Sequence, residues 1–274
     1  MPRVLDPPRW SLPTAESASG CFETMRVYGG RIFRLGQHLE RLYASAQYLG
    51  LRLPDDPQRL SHRLTRALAD SGLREAVVRV AMVPDAQRAA TPMIVVQPIQ
   101  VPTPAMYAKG IRVAIVPTRR FPVSQIDPQS KFSSRLGSVL AVMESQLRHA
   151  DEALFMDTLG YVTESTASNF GLIKRGVFLA PPCWLGLLAG ITWQALVAAA
   201  QDAGLPYRET PLTRHDLYNA DEAFLSSTLK EVLPVTMIDG RRIGTGTPGR
   251  FTKRLHQAFR RLVKRELNGR HEHR

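Results

Sequence analysis

Cysteine is nearly absent: Cys21 and Cys183 are the only two in 274 residues, and neither belongs to a C-x-x-C pair. That excludes a disulfide framework, a thiolate zinc site and a dithiol redox motif, so both read as inert small side chains. Long apolar runs are missing too, and nothing approaches the roughly 20 residues that a membrane-crossing helix requires. The opening residues, MPRVLDPPRWSLP, lack the apolar centre of a secretory signal, so the expectation is no signal peptide and a cytoplasmic location. Acidic residues are outnumbered 24 to 36 by Lys and Arg, for a net charge of +12. Residues 241–274 hold eleven Lys or Arg against two Glu, so most of the surplus lies at one end. The aromatic residues in that run, Phe251 and Phe259, fall on the apolar spacing of a helix rather than offering a stacking surface among the arginines as nucleic-acid binding would demand, and the basic residues read as that helix's solvated face.

Several motifs are lacking as well. The chain has no G-x-x-x-x-G-K-[ST], no H-E-x-x-H and no G-x-S-x-G, which argues against a phosphate-loop nucleotidase, a zinc protease and a serine-hydrolase elbow. Gly244-Thr-Gly246-Thr-Pro-Gly249 matches G-x-G-x-x-G in form. It follows a polar IDGRR turn and is interrupted by Pro248, so it reads as a turn rather than a dinucleotide site. His271 and His273 flank a glutamate in a polar tail with no third ligand nearby, and no metal site is expected.

What is present has clear periodicity. CFETMRVYGGRIFRL reads as a β-hairpin around Gly29-Gly30. Leu35, Leu39, Leu42, Tyr43, Ala46 and Leu49 recur at helical spacing before Gly50, and Leu60, Leu64 and Leu68 do so before Gly72. Three β-rich runs follow at 76–83, 93–99 and 111–117, giving an α+β unit over residues 1–117. The proline-containing stretch 118–130 reads as a linker. A second unit, 131–274, begins with an apolar helix that Lys131 opens, carrying Leu136, Val139, Leu140, Val142, Met143 and Leu147. Short strands joined by tight turns come next, then a helix from Thr192 and a closing helix marked by Phe251, Leu255, Phe259, Leu262 and Val263.

Three features point to chemistry. Most lysines are solvated, but Lys131 sits between a linker and an apolar helix, where desolvation lowers an amine's pKa and makes it a nucleophile toward an aldehyde. Glu164 lies in YVTEST, where a strand gives way to small hydroxylated residues; a carboxylate there can keep a pyridinium nitrogen protonated. In LLAGITW, Gly190 permits close backbone approach and Thr192 begins a helix whose free N–H groups suit a phosphate. Arg41 is placed to add a charge-assisted clamp.

Together these blocks resemble the class IV, fold type IV, pyridoxal-phosphate enzymes: branched-chain and D-amino-acid aminotransferases and aminodeoxychorismate lyase. The resemblance spans about Gly20 to Arg254 and rests on GCFETMRVYGGRIFRLGQHLERL, SKFSSRL, DEALFMDTLGYVTESTASNF, LLAGIT and DEAFLSSTLKEVLPVTMIDG. It implies an α+β N-terminal domain, an α/β pseudo-barrel C-terminal domain and a homodimer with pyridoxal 5'-phosphate between the domains. Lys131 would bond to the cofactor aldehyde and shuttle the substrate proton, and Glu164 would pair with the ring nitrogen. Arg41, the N–H groups of Ile191 and Thr192, and the hydroxyls of Thr192 and Thr228 would hold the phosphate. Phe22 and the turn Ser227 to Leu229 would border the substrate.

Departures from the family pattern fall on the substrate side: Ser17 where many relatives have tyrosine, Ser134 where many have asparagine, and Trp193 where arginine often follows G-I-T. The leading expectation is an aminotransferase exchanging an amino group between a small amino acid, branched-chain or D, and a 2-oxo acid. The competing one is aminodeoxychorismate lyase, toward which K-x-x-x-R-L from Lys131 to Leu136 tilts, while VTESTASN and EVLPVTMIDG suit the aminotransferases as well or better. A third is a non-catalytic binding protein that uses the basic C-terminal helix.

Overall fold

The computed structural model describes residues 19–269; Ser17, His271 and His273 lie outside them. The chain first builds a four-stranded antiparallel sheet ordered β2-β1-β3-β4, from β1 (Cys21–Tyr28), β2 (Arg31–Ile32), β3 (Ala76–Pro84) and β4 (Ala90–Pro98). Gly29 and Gly30 both take positive φ, 58° and 85°, as the tight turn between β1 and β2 requires. Residues alternate along β1, with Cys21, Glu23, Met25 and Val27 turned inward. Helices α1 (Leu35–Tyr48) and α2 (Pro57–Ser71) cover that face through Leu39, Leu42, Leu60, Leu64 and Leu68. Asp56 caps α2 by accepting from the Arg59 N–H at 2.7 Å, and Gly72 ends it at φ 65°.

A short helix α3 (Pro104–Lys109) then leads to β5 (Ile111–Arg119). The sequence division at 117 would leave β5 with the first sheet; its parallel pairing with β12 (Glu231–Ile238) and β6 (Glu152–Met156) puts it in the second. Val113 to Val116 are all buried, the continuous apolar pattern of a strand covered on both faces. The second sheet also contains β7 (Val162–Ser165), β8 (Asn169–Lys174), β9 (Val177–Ala180), β10 (Tyr207–Glu209), β11 (Glu222–Ser227) and β13 (Arg241–Arg242). In the order β8-β11-β12-β5-β6-β7, the pairing of Glu164 with Asn169 returns β7 to β8 and closes a barrel. Every one of these strands contributes to one apolar cluster, which includes Ile111, Ile115, Leu154, Val162, Phe170, Leu172, Leu225 and Leu233.

The short α6 (Arg214–Tyr218) precedes β11, and outside the barrel α5 (Ile191–Asp202) and α7 (Arg250–Asn268) pack through Leu196, Leu255, Phe259 and Leu262. Trp193 belongs to this layer, edge-on to Phe178 at 5.3 Å and stacked on Phe224 at 6.1 Å. Its departure from the family pattern therefore bears on packing rather than on a substrate pocket. The basic face of α7 is partly neutralised within the chain, with Arg265 on Asp202 at 2.6 Å and Arg260 on Glu231 at 2.8 Å. Among the described residues no helix is long and apolar enough to cross a membrane.

Two expectations about the second unit are corrected. Lys131 does not open the apolar helix, since α4 spans Leu136–Leu147. The residues before it run extended beside β1: Phe22 N–H donates to the Lys131 carbonyl at 3.1 Å and Ser133 N–H to that of Gly20 at 2.8 Å. These bonds satisfy the backbone in a conformation that helix formation would break. The apolar positions of α4 are also not a core face. Leu136, Val139, Leu140, Met143 and Leu147 are exposed, and the helix buries Ala141 and Ser145 instead.

Candidate active site

A cavity of about 470 Å³ lies where α1, the 120–135 segment, the ends of β7 and β11 and the start of α5 converge. Lys131, Arg41, Glu164, Ile191, Thr192, Ser227 and Thr228 line it. Leu229 does not, and neither does Phe22, whose ring centre instead lies 4.8 Å from the Lys131 ammonium. Ser134 also faces the cavity.

Lys131 is held by its backbone. Its N–H donates to Ser45 Oγ at 3.0 Å, tying it to α1, and its carbonyl is bound by β1. Burial pulls its ammonium down to about 8; Glu23 opposes that shift, while Arg41 and Arg135 add to it. At pH 7 a drop from 10.5 to about 8 raises the nucleophilic, unprotonated fraction by roughly 300-fold.

Glu23 is fully buried on the face of β1 that otherwise carries Cys21, Met25 and Val27. A carboxylate on an apolar face requires partners, and α1 supplies them one turn apart. Arg41 Nε donates to Oε1 at 2.6 Å and Nη2 to Oε2 at 2.9 Å, while His38 Nδ1 lies 2.7 Å from Oε2. Burial alone would raise this carboxyl, yet the hydrogen bond from His38 and the charge of Arg41 hold it at about 2. Burial also pushes His38 below its ordinary value, so the neutral ring donates Nδ1–H. Arg41 Nη1 reaches on to the Ala189 carbonyl at 2.8 Å, fixing the loop before α5.

Removing the Glu23 charge leaves a half-buried arginine uncompensated. Glu23→Gln is expected to destabilise the fold by about 3 kcal/mol, read from the urea midpoint. Because the folded pKa is depressed from 4.5 to about 2, the native contribution is complete above 4.5 and lost as pH falls through 2. The variant should lose that part of the acid dependence.

Glu164 lines another part of the wall. It enters from β7 after a turn in which Asp157 Oδ1 accepts from the N–H groups of Leu159 at 2.9 Å and Tyr161 at 2.8 Å. Its Oε1 accepts from Arg120 Nη2 at 2.5 Å, and its Oε2 from Leu188 N–H at 3.2 Å and Asn169 Nδ2 at 3.4 Å. Asn169 in turn donates to the Leu188 carbonyl at 2.8 Å. A Cβ at Gly190 would lie 2.1 Å from Asn169 Oδ1, so only glycine allows the loop this close to the carboxylate. Gly190 offers no side chain to cap α5, leaving the first N–H groups of that helix available beside the hydroxyls of Thr192 and Thr228, which are 3.5 Å apart.

These features agree with what known proteins share with the chain. The family model for amino-transferase class IV matches residues 20–238. The chain belongs to the class IV aminotransferases. A putative branched-chain-amino-acid aminotransferase of Methanocaldococcus jannaschii is 36% identical over 88% of this chain and 86% of its own length. A D-alanine aminotransferase of Listeria monocytogenes is 32% identical over 88% of this chain and 85% of its own. Among solved structures, the branched-chain aminotransferase of Thermoproteus uzoniensis with norvaline superposes with a TM-score of 0.83 at 31% identity, covering 90% of this chain and 86% of that one. The fold is fold type IV.

The cofactor of class IV aminotransferases is pyridoxal phosphate, and another structural neighbour, a branched-chain aminotransferase with a TM-score of 0.88 at 30% identity, was solved with pyridoxamine 5'-phosphate. The cavity here fits that group. Ser226, on the cavity wall, has a buried hydroxyl without a partner among the described residues, a polar group that a polar ligand can satisfy. An amine of lowered pKa, a buried carboxylate and an uncapped helix start with two threonines are suited to an aldehyde, a ring nitrogen and a phosphate. When bound, the cofactor supplies an electron sink for a carbanion at the substrate α-carbon. Burial raises the Cys21 thiol to about 12 and also raises Cys183, which keeps both protonated and inert.

Arg120, Glu23, His38 and Asn169 also shape the site, and sequence reading passes over them; Arg135 enters that reading only as the arginine of K-x-x-x-R-L. Glu23 has a usable signal, a charge on the apolar register of a strand with Arg and His at helical spacing on the next element. Arg120 has none, because an arginine in a proline-flanked loop reads as solvated.

Proposed function

We propose that this class IV aminotransferase transfers an amino group between a small amino acid, branched-chain or D, and a 2-oxo acid, with Lys131 as the amine that bonds to the cofactor and moves the substrate proton. The observation that carries this reading is the enclosed Lys131, lowered to about 8, facing a cavity whose wall also holds Glu164. Arg41, the start of α5 and Thr228 hold the phosphate, and Ser227 borders the substrate, with the Phe22 ring against Lys131. Elimination of pyruvate from aminodeoxychorismate is the second reading, favoured by Lys131 and Arg135 both lying on the cavity wall. A panel of D- and L-amino acids added to the loaded enzyme separates the two. Conversion to the pyridoxamine spectrum by any member supports transamination. Silence across the panel, with pyruvate released from aminodeoxychorismate, supports the lyase.

The active form in this reading is a cytoplasmic homodimer. The apolar side chains at Leu136, Val139, Leu140, Met143 and Leu147 lie on one exposed face of α4. The first turn of the same helix lines the cavity through Gly137 and Ser138, so a second copy seated there would also border the site. Sedimentation equilibrium is expected to give twice the chain mass, and Leu140→Glu with Met143→Glu to shift it to the monomer. A native monomer at micromolar concentration would contradict the dimer.

A further inference from the structure

Three arginines line the cavity, and two of them have a carboxylate: Arg41 is bound to Glu23 and Arg120 to Glu164. Glu152, the remaining carboxylate in electrostatic reach of Arg135, is taken by Lys230. Arg135 therefore has no carboxylate within ion-pair distance among the described residues. Its Nη2 donates to the Thr166 carbonyl and to Ser138 Oγ, the latter at 3.3 Å, leaving Nε and Nη1 uncommitted among those residues. The guanidinium carbon stands 5.9 Å from the Phe22 ring centre, on the ring that also carries the Lys131 ammonium at 4.8 Å. Partial desolvation makes this cation costly, and burial pulls its pKa below the ordinary value.

A planar fork with free donors, anchored through its other nitrogen and placed beside the reactive amine, is built to take a carboxylate. We propose that Arg135 receives a carboxylate of the substrate on the Phe22 side of the cavity, so that the enzyme selects amino and oxo acids over simple amines. The assignment rests on the amino-acid substrate proposed above. The α-carboxylate and a distal carboxylate of a dicarboxylic acid share this chemistry, and the test separates them.

The test compares the native enzyme loaded with pyridoxal phosphate, Arg135→Gln and Arg135→Lys in calorimetric titrations with 4-methylpentanoate, which has one carboxylate, and glutarate, which has two. Loss of a charge-assisted pair should weaken binding by about tenfold or more in Arg135→Gln, with partial recovery in Arg135→Lys. Equal losses for both acids assign the α-carboxylate; a loss for glutarate alone assigns the distal one. Binding of both acids within about twofold of native by Arg135→Gln, with an unchanged melting temperature, would overturn the proposal. So would a shift in the absorbance-versus-pH curve of the acid-free enzyme with no loss of acid binding, which would place Arg135 against the cofactor instead. Failure of the native protein to develop visible absorbance would count against the proposed function, whereas Arg135 is judged on acid binding, which calorimetry reads with or without colour.

Discussion

Lys131→Ala is expected to abolish the visible absorbance that native protein develops with pyridoxal phosphate and to lower turnover by roughly four orders of magnitude or more. Two roles are lost together: the amine that bonds to the aldehyde and the base that moves the substrate proton. The geometry offers no substitute. Arg41, Arg120 and Arg135 are the other cations on the cavity wall, and a guanidinium stays protonated at any working pH. Lys230, next to the Ser227 to Leu229 turn, is held by Glu152 and by Ser168 Oγ at 3.1 Å. The native rate of loading should rise through pH 8, following an amine lowered to about 8, whereas an exposed lysine would load increasingly up to about 10.4. Stopped-flow absorbance across pH 6 to 10 reads this directly.

Glu164→Gln is expected to retain cofactor but lose turnover by about a hundredfold or more, since a neutral amide cannot hold a ring nitrogen protonated. The backbone bond from Leu188 at 3.2 Å and the Asn169 contact at 3.4 Å can persist with an amide oxygen, so the wall should keep its shape. Arg120 loses its charged partner at 2.5 Å, which contributes to the deficit through repulsion of a pyridinium. Comparing Glu164→Gln with Arg120→Gln separates these causes, because the latter keeps the carboxylate. Native turnover in Glu164→Gln would refute the role given to this residue.

The fold and the site differ in how far they can be read in advance. Lys131, Glu164 and the LLAGIT turn are legible because each belongs to a local pattern: a lysine before an apolar helix, a carboxylate at a strand end, a glycine at a helix start. β5 is harder, since a continuous apolar run such as Val113 to Val116 looks the same whichever sheet receives it. Its partners, β12 and β6, lie on either side of it in the barrel but far along the chain. The extended path of Lys131 is likewise invisible, being set by hydrogen bonds to Gly20 and Phe22, more than a hundred residues earlier. Trp193 and the apolar face of α4 show the opposite error. Helical spacing marks the apolar stripe of α4 but not what covers it, and Leu136 and Leu147 stay exposed, whereas Trp193, assigned to the substrate side from its place after G-I-T, packs on Phe178 and Phe224.

The central claim is that Lys131 is the residue bonded to the cofactor. Borohydride reduction of the loaded enzyme, followed by peptide mass spectrometry, tests it most directly. A single phosphopyridoxyl label on the peptide containing Lys131 is the predicted result; a label on Lys230 or any other lysine, or no label at all, would contradict it.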